Sequence, residues 1–341
     1  MSLSDYHATT GDWRLQLQRN ERKTRGVIAT FLLLYVFVGL IVDVFVIHSH
    51  NPSVPLSACF YALISLHIVP LATLLLGGVA VISLFITYSF YDRIMLLGTD
   101  SHEITPETAK NLQEKQLYHV VEEMKVAAGL QFMPKVFIIE ANYMNAFASG
   151  YSEKSAMVAI TRGLMEKLDR AEMQAVMAHE LSHVRHHDIK LTLMVAILSN
   201  ILLMVIDMLF YSMIFKRDRQ GGNGLFTVIL ILRYALPLLT VILALFLSRT
   251  REYMADAGSV ELMRDNEPMA RALLKINQDH KDHVEQYTTE YGQTPHEQVR
   301  HASYLFDPSD IHPLRSSGNP FATHPSIQKR LEALGFKAKQ R

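Results

Sequence analysis

The sequence predicts a membrane α-helical protein, with about four apolar helices, joined to an α+β domain that carries a small antiparallel sheet. Three observations carry that expectation. Apolar residues fall in long uncharged blocks, a polar stretch between the blocks holds short β-branched runs, and one segment pairs two histidines at helical spacing. Of the 341 residues, 49% are hydrophobic. A soluble protein can reach that fraction, so the distribution decides the class.

The first block, Val27 to Ile47, holds a single charge, Asp43. At about 1.5 Å per residue it spans a hydrocarbon core of roughly 30 Å. Arg14, Arg19, Arg22, Lys23 and Arg25 precede it. They place the N-terminus in the cytoplasm and favour an uncleaved anchor over a secretory signal. The second block, Leu56 to Tyr91, is broken by Pro70, so the span is Leu71 to Phe90, preceded by a membrane-skimming segment. Two more blocks follow, Leu191 to Phe215 and Leu225 to Leu247, separated by Lys216, Arg217 and Arg219. That basic loop conflicts with the positive-inside tendency. Either the rule is overridden or the hairpin does not cross fully. Asp207 and Arg233 lie within these blocks, as an interhelical ion pair or near a substrate path.

The expected organisation is therefore 1–92, a basic flank and two spans; 93–190, a first part of the polar domain; 191–247, an apolar hairpin; and 248–341, a second part. In the polar region Thr105 to Ala128 has the spacing of an amphipathic helix, with Thr105 and Glu107 at its start. Val136 to Ile139, Ala146 to Ser149 and Met157 to Thr161 read as strands of an antiparallel sheet. Asp169 and Glu172 form a capping-box signature for the next helix.

That helix reads MAHELSHVRHHD from Met177 to Asp188. His179 and His183 fall on one helical face, close enough to share a zinc ion, and Glu180 beside them could take a proton from a water bound there. The bland alternative is a surface helix with incidental histidines. A catalytic zinc requires a third protein ligand. Glu252 is the best placed, although a solvated charge after a membrane span accounts for it equally well. Asp256, one turn on, could orient His179. His186 and His187 are rival ligands off the required face. Lys plus Arg and Asp plus Glu both number 33, and no basic face is apparent, so nucleic acid is not an expected partner. Cys59 is the sole cysteine, which excludes an intramolecular disulfide and a zinc site built on several thiolates.

Four segments together resemble the membrane-embedded zinc metallopeptidases that include the bacterial heat-shock protease HtpX. They are NAFASG at Asn145 to Gly150, HELSHVRHHD at His179 to Asp188, SRTREYMADAG at Ser248 to Gly258, and FATHPSIQKRLEAL at Phe321 to Leu334. The resemblance covers nearly the whole chain and implies a zincin-like catalytic domain. It implies one zinc ion per chain on His179, His183 and Glu252, with Glu180 as general base. Asn145, Ala146, Phe147 and Ala148 would pair with extended substrate, and His324 and Arg330 would stabilise the oxyanion or substrate carbonyl. A His-Pro helix start with a solvated arginine is the alternative for the last two. The zinc motifs flank apolar blocks, which expects a site at the cytoplasmic face of the inner membrane. The expected partners are the bilayer and protein substrates, membrane proteins among them, in stress-linked quality control. A zinc-binding membrane scaffold is the rival function. A CAAX-type prenyl-protein peptidase is disfavoured by the small number of apolar helices. The polar stretch His280 to Pro320, with its His312-Pro313 step, departs from the family pattern.

Overall fold

The computed structural model describes residues 3–8, 13–96, 98–150, 152–215, 223–294, 303–306 and 323–338. Its main elements in chain order are β1 (Tyr6–Ala8), α1 (Trp13–His50), α2 (Leu56–Ile64), α3 (Leu71–Met95), β2 (Ser101–Ile104) and α4 (Leu112–Ala128). They continue with β3 (Lys135–Ile139), β4 (Ala146–Ser149), β5 (Met157–Thr161), α5 (Arg162–Lys167), α6 (Arg170–Arg185) and α7 (Asp188–Phe215). The last are α8 (Asn223–Met263), α9 (Glu267–Asp282), α10 (Val284–Gln293), α11 (Ile327–Ala333) and β6 (Phe336–Ala338). The chain divides into two units, one of residues 25–89 and 192–246, the other of residues 1–24, 90–191 and 247–341.

The first unit is helical and apolar inside and out. Tyr35, Val38, Ile41, Leu202, Val205, Ile206 and Leu236 form its core, while Leu33, Leu75, Met208 and Tyr234 are exposed. Helices apolar all round suit a hydrocarbon solvent. Among the described residues three helices are long and apolar enough to cross a membrane: Arg14–His50, Met194–Ile214 and Phe226–Met263. The fourth expected span lies in α3, whose described apolar stretch, Leu71–Ser83, is shorter. Asp43, the charge inside the first block, is 5% exposed. It accepts the backbone N–H of Ala72 at 2.8 Å and of Thr73 at 3.0 Å, and the Thr73 hydroxyl at 2.7 Å. The carboxylate thus caps the start of α3, which offsets the cost of burying it. Asp207 and Arg233 form the interhelical ion pair at 3.0 Å, and the guanidinium lies 4.0 Å from the Phe210 ring. The basic loop residues Lys216, Arg217 and Arg219 lie outside the described residues.

In the second unit the sheet order is β2-β3-β5-β4. β2 and β4 pair antiparallel to β3 and β5, but β3 and β5 are parallel. The sheet is therefore mixed, not wholly antiparallel as expected. The connection after β3 carries the chain out to the edge position of β4, and the turn before Met157 brings β5 back between β4 and β3. β2 has the sequence SHEI, whose polar residues gave no strand pattern. The helix expected from Thr105 begins only at Leu112, because Asn111 caps it by accepting the Glu114 N–H at 2.8 Å. Thr105 and Thr108 instead close a turn through their hydroxyls. α6 opens on the expected capping box: Asp169 accepts the Glu172 N–H at 2.9 Å, and Glu172 accepts the Asp169 N–H at 3.0 Å. It packs against α4, α9 and β4. That surrounds the His179–Glu180 turn with protein, and both side chains are buried.

Candidate metal centre

α6 sets His179 and His183 one turn apart, and their Nε2 atoms approach to 3.2 Å. α8 delivers Glu252, with Oε1 3.5 Å from His183 Nε2 and Oε2 3.7 Å from His179 Nε2. Among the described residues, these three form the histidine, cysteine and carboxylate group able to hold a metal. His186 and His187 are not part of it: His186 ends α6, and His187 turns the chain with φ of 55°.

The far nitrogens of both imidazoles face carboxylates. His179 Nδ1 lies 3.1 Å from Asp256 Oδ1, and His183 Nδ1 lies 2.7 Å from Asp188 Oδ2. A carboxylate at that position keeps the proton on Nδ1 and leaves the Nε2 lone pair as the ligating one. Burial pushes His183 down to about 3, against the opposing charge of Glu252, so the ring is neutral. Two imidazole nitrogens and a carboxylate thus converge on one point, the donor set of a metal site.

Glu180 is 1% exposed. Neither of its oxygens has a hydrogen bond of ordinary geometry among the described residues. Burial and the Glu252 charge push its carboxyl well above the usual range, opposed by the Ala148 backbone amide and the Arg330 charge.

Arg330, expected at the reacting carbonyl, is committed elsewhere. It is buried and grips Asp256 with two bonds, Nε to Oδ2 at 2.9 Å and Nη2 to Oδ1 at 2.7 Å. Its Nη1 donates to the Leu305 carbonyl at 2.8 Å and lies 3.4 Å from Glu252 Oε2. His324 Nδ1 lies 3.2 Å from the same Glu252 oxygen. The other two residues of its segment's opening, Phe321 and Ala322, and the His312-Pro313 step lie outside the described residues.

β4 is an edge strand, but its first part is already engaged. Asn145 donates to the Tyr291 hydroxyl at 3.1 Å and the Phe306 carbonyl at 2.9 Å, and its Oδ1 accepts the Phe306 N–H at 3.1 Å. Ala146 O accepts the Leu305 N–H at 2.9 Å. Phe147 is buried against Tyr304. Of the residues expected to meet substrate, Ala148 supplies the backbone amide that opposes the rise of the Glu180 carboxyl. The clasp by Leu305 and Phe306 had no sequence signal, since its partners are far apart in the chain. Gly258 was a readable one. A Cβ there would lie 2.4 Å from Ser182 Oγ, so glycine lets α8 press against α6.

Two imidazoles on one helix, a carboxylate from a second and a buried glutamate beside them define a hydrolytic metal centre of the H-E-x-x-H class. Residues 111–336 match the model of peptidase family M48, and the chain belongs to that family. It is 39% identical over 322 residues to a "Protease HtpX homolog" of Helicobacter acinonychis, covering 94% of this chain and 98% of that one. It is 32% identical over 332 residues to a protein of the same description from Streptococcus thermophilus, again covering 94% and 98%. Among solved structures, S. mikatae Ste24p aligns with a TM-score of 0.48 and 16% identity, over 96% of this chain and 67% of that one. The protein is a metalloprotease of the membrane.

Proposed function

We propose that this chain is a zinc endopeptidase of the inner membrane that cleaves exposed polypeptide, misfolded membrane proteins included, at a cytoplasmic active site. His179, His183 and Glu252 hold the ion. The observation that carries this is the convergence of two imidazole Nε2 atoms and one carboxylate on the largely buried inner face of a pair of helices. Zinc bonds of about 2.0–2.2 Å in a tetrahedron separate neighbouring ligands by about 3.3–3.5 Å. One ligand atom from each of the three residues lies within 4.8 Å of the others, so the donor set fits. Bound zinc supplies Lewis acidity that polarises a carbonyl and acidifies water.

The protein's own groups do the rest. Glu180 takes a proton from the attacking water and returns it to the leaving amine. Asp256 and Asp188 hold the two imidazoles in their ligating tautomer. Arg330 acts through Asp256 and Glu252, which leaves His324 as the side chain placed to steady a carbonyl oxygen. Ala148 pairs with substrate backbone, which reads main chain and supports broad specificity. The basic N-terminal flank supports the cytoplasmic orientation. Against a scaffold with structural zinc stands the set of three ligands among the described residues, since a closed structural site needs four protein ligands.

The test is metal content against activity in detergent-purified protein. One zinc per chain, loss of casein cleavage on chelation and its return with zinc support the proposal. Zinc retained by His179→Ala or Glu252→Ala, or cleavage unaffected by chelation, contradicts it.

A further inference from the structure

Each ligating imidazole is backed by a carboxylate, and each carboxylate is backed by an arginine. Arg330 grips Asp256, which faces His179. On the other side of the site Arg251 pairs through Nη2 with Asp188 Oδ1, and the other oxygen of Asp188 meets His183 Nδ1 at 2.7 Å. Arg251 and Asp188 are both buried. The same Nη2 donates to the His186 carbonyl, at the end of α6, at 3.1 Å. Arg251 itself sits next to Glu252 on α8.

We infer that Arg251 is a positioning residue for the metal centre, fixing through Asp188 the orientation and tautomer of His183. The inference rests on the zinc reading of His179, His183 and Glu252. A buried carboxylate with a single partner would be free to rotate. With one oxygen held by the guanidinium, the other is aimed at the imidazole. Because that guanidinium also ties the last turn of α6 to α8, it joins the helix of His183 to the helix of Glu252. A cation at a helix C-terminus also meets the negative end of its dipole. Lysine can donate to both groups from one nitrogen, but its tetrahedral ammonium does not reproduce the direction of a planar guanidinium's N–H bonds, so it replaces Arg251 only in part.

The experiment measures zinc affinity by competition with a chromophoric chelator, on full-length protein in detergent carrying Glu180→Gln to prevent self-cleavage. The cobalt-substituted absorption spectrum reports ligand geometry on the same samples. Loss of an outer partner of a metal ligand weakens affinity about 10–100-fold. Arg251→Met and Asp188→Asn are each expected to fall in that range and to alter the cobalt spectrum. Because they act in series, the double variant is expected to lose no more than the worse single one. If Arg251→Met does not fold, Arg251→Lys carries the test, with a smaller but measurable loss of affinity expected. Zinc affinity and cobalt spectrum unchanged in the folded Arg251 variant, or fully additive losses in the double variant, overturn the inference alone. A parent protein that binds no zinc overturns the zinc reading as well.

Discussion

His280 shows how far a single residue's environment departs from its composition. It is buried, with Nδ1 2.9 Å from the Ile276 carbonyl and Nε2 3.2 Å from the Tyr291 hydroxyl. Burial pushes it down to about 4, below the usual value of 6.5, with the Ile276 carbonyl opposing. The unfolded chain therefore binds the extra proton first, so stability falls as pH drops from about 6.5 to about 4, by up to roughly 3 kcal/mol. Melting temperatures of the detergent-solubilised protein should fall through that window, and His280→Gln should flatten the profile. An equal slope in the variant would assign the loss to other groups. The same scale explains what was legible. His179, Glu180 and His183 announce themselves because one helix turn supplies their spacing. Glu252 is equivocal by sequence until the resemblance singles it out, since its partners lie on another helix; Asp256 follows from it by helical spacing. Arg330's partners were not legible for the same reason: nothing local shows that Asp256 and Leu305 take up three of its donors.

At the scale of elements, the site depends on how closely α8 approaches α6. Gly258 faces Ser182, and an added Cβ would lie 2.4 Å from its Oγ and 2.9 Å from its Cβ. Ser259 then donates to the Ala175 carbonyl at 2.9 Å. Gly258→Ala should therefore cost about 1–3 kcal/mol by overpacking, and Ser182→Gly in the same chain should restore most of it. Thermal unfolding of the single and double variants measures both; a neutral Gly258→Ala would mean that the helices part freely. Elements with strong local codes were readable. The Asp169–Glu172 box marks the start of α6, and β-branched runs mark β3 and β5. β2 was missed because a short polar strand has no pattern of its own. The parallel β3–β5 pair was missed because strand order depends on where β4 is pinned, and Asn145, Leu305 and Phe306 do that from distant parts of the chain.

For the whole molecule, charge and apolar length set the topology. In the proposed orientation α1 leaves the cytoplasm after the arginine-rich flank before Val27, and α3 returns so that residues 98–191 share that side. Cys59 is buried and alone, so single-cysteine mapping in a Cys59→Ser background is direct. Asn51→Cys should react with an impermeant maleimide in intact cells, and Glu107→Cys only after permeabilisation. The reverse pattern would invert the orientation. The large-scale plan, apolar helices and a separate polar α+β unit, was legible from block lengths alone.

The claim on which the rest depends is that Glu180 handles the proton at a centre held by its neighbours. The most direct measurement compares wild-type and Glu180→Gln protein, purified in detergent, for zinc content and for cleavage of unfolded casein. The account expects about one zinc per chain in both and a loss of cleavage of about a hundredfold or more in the variant. Zinc retention with undiminished cleavage would contradict it.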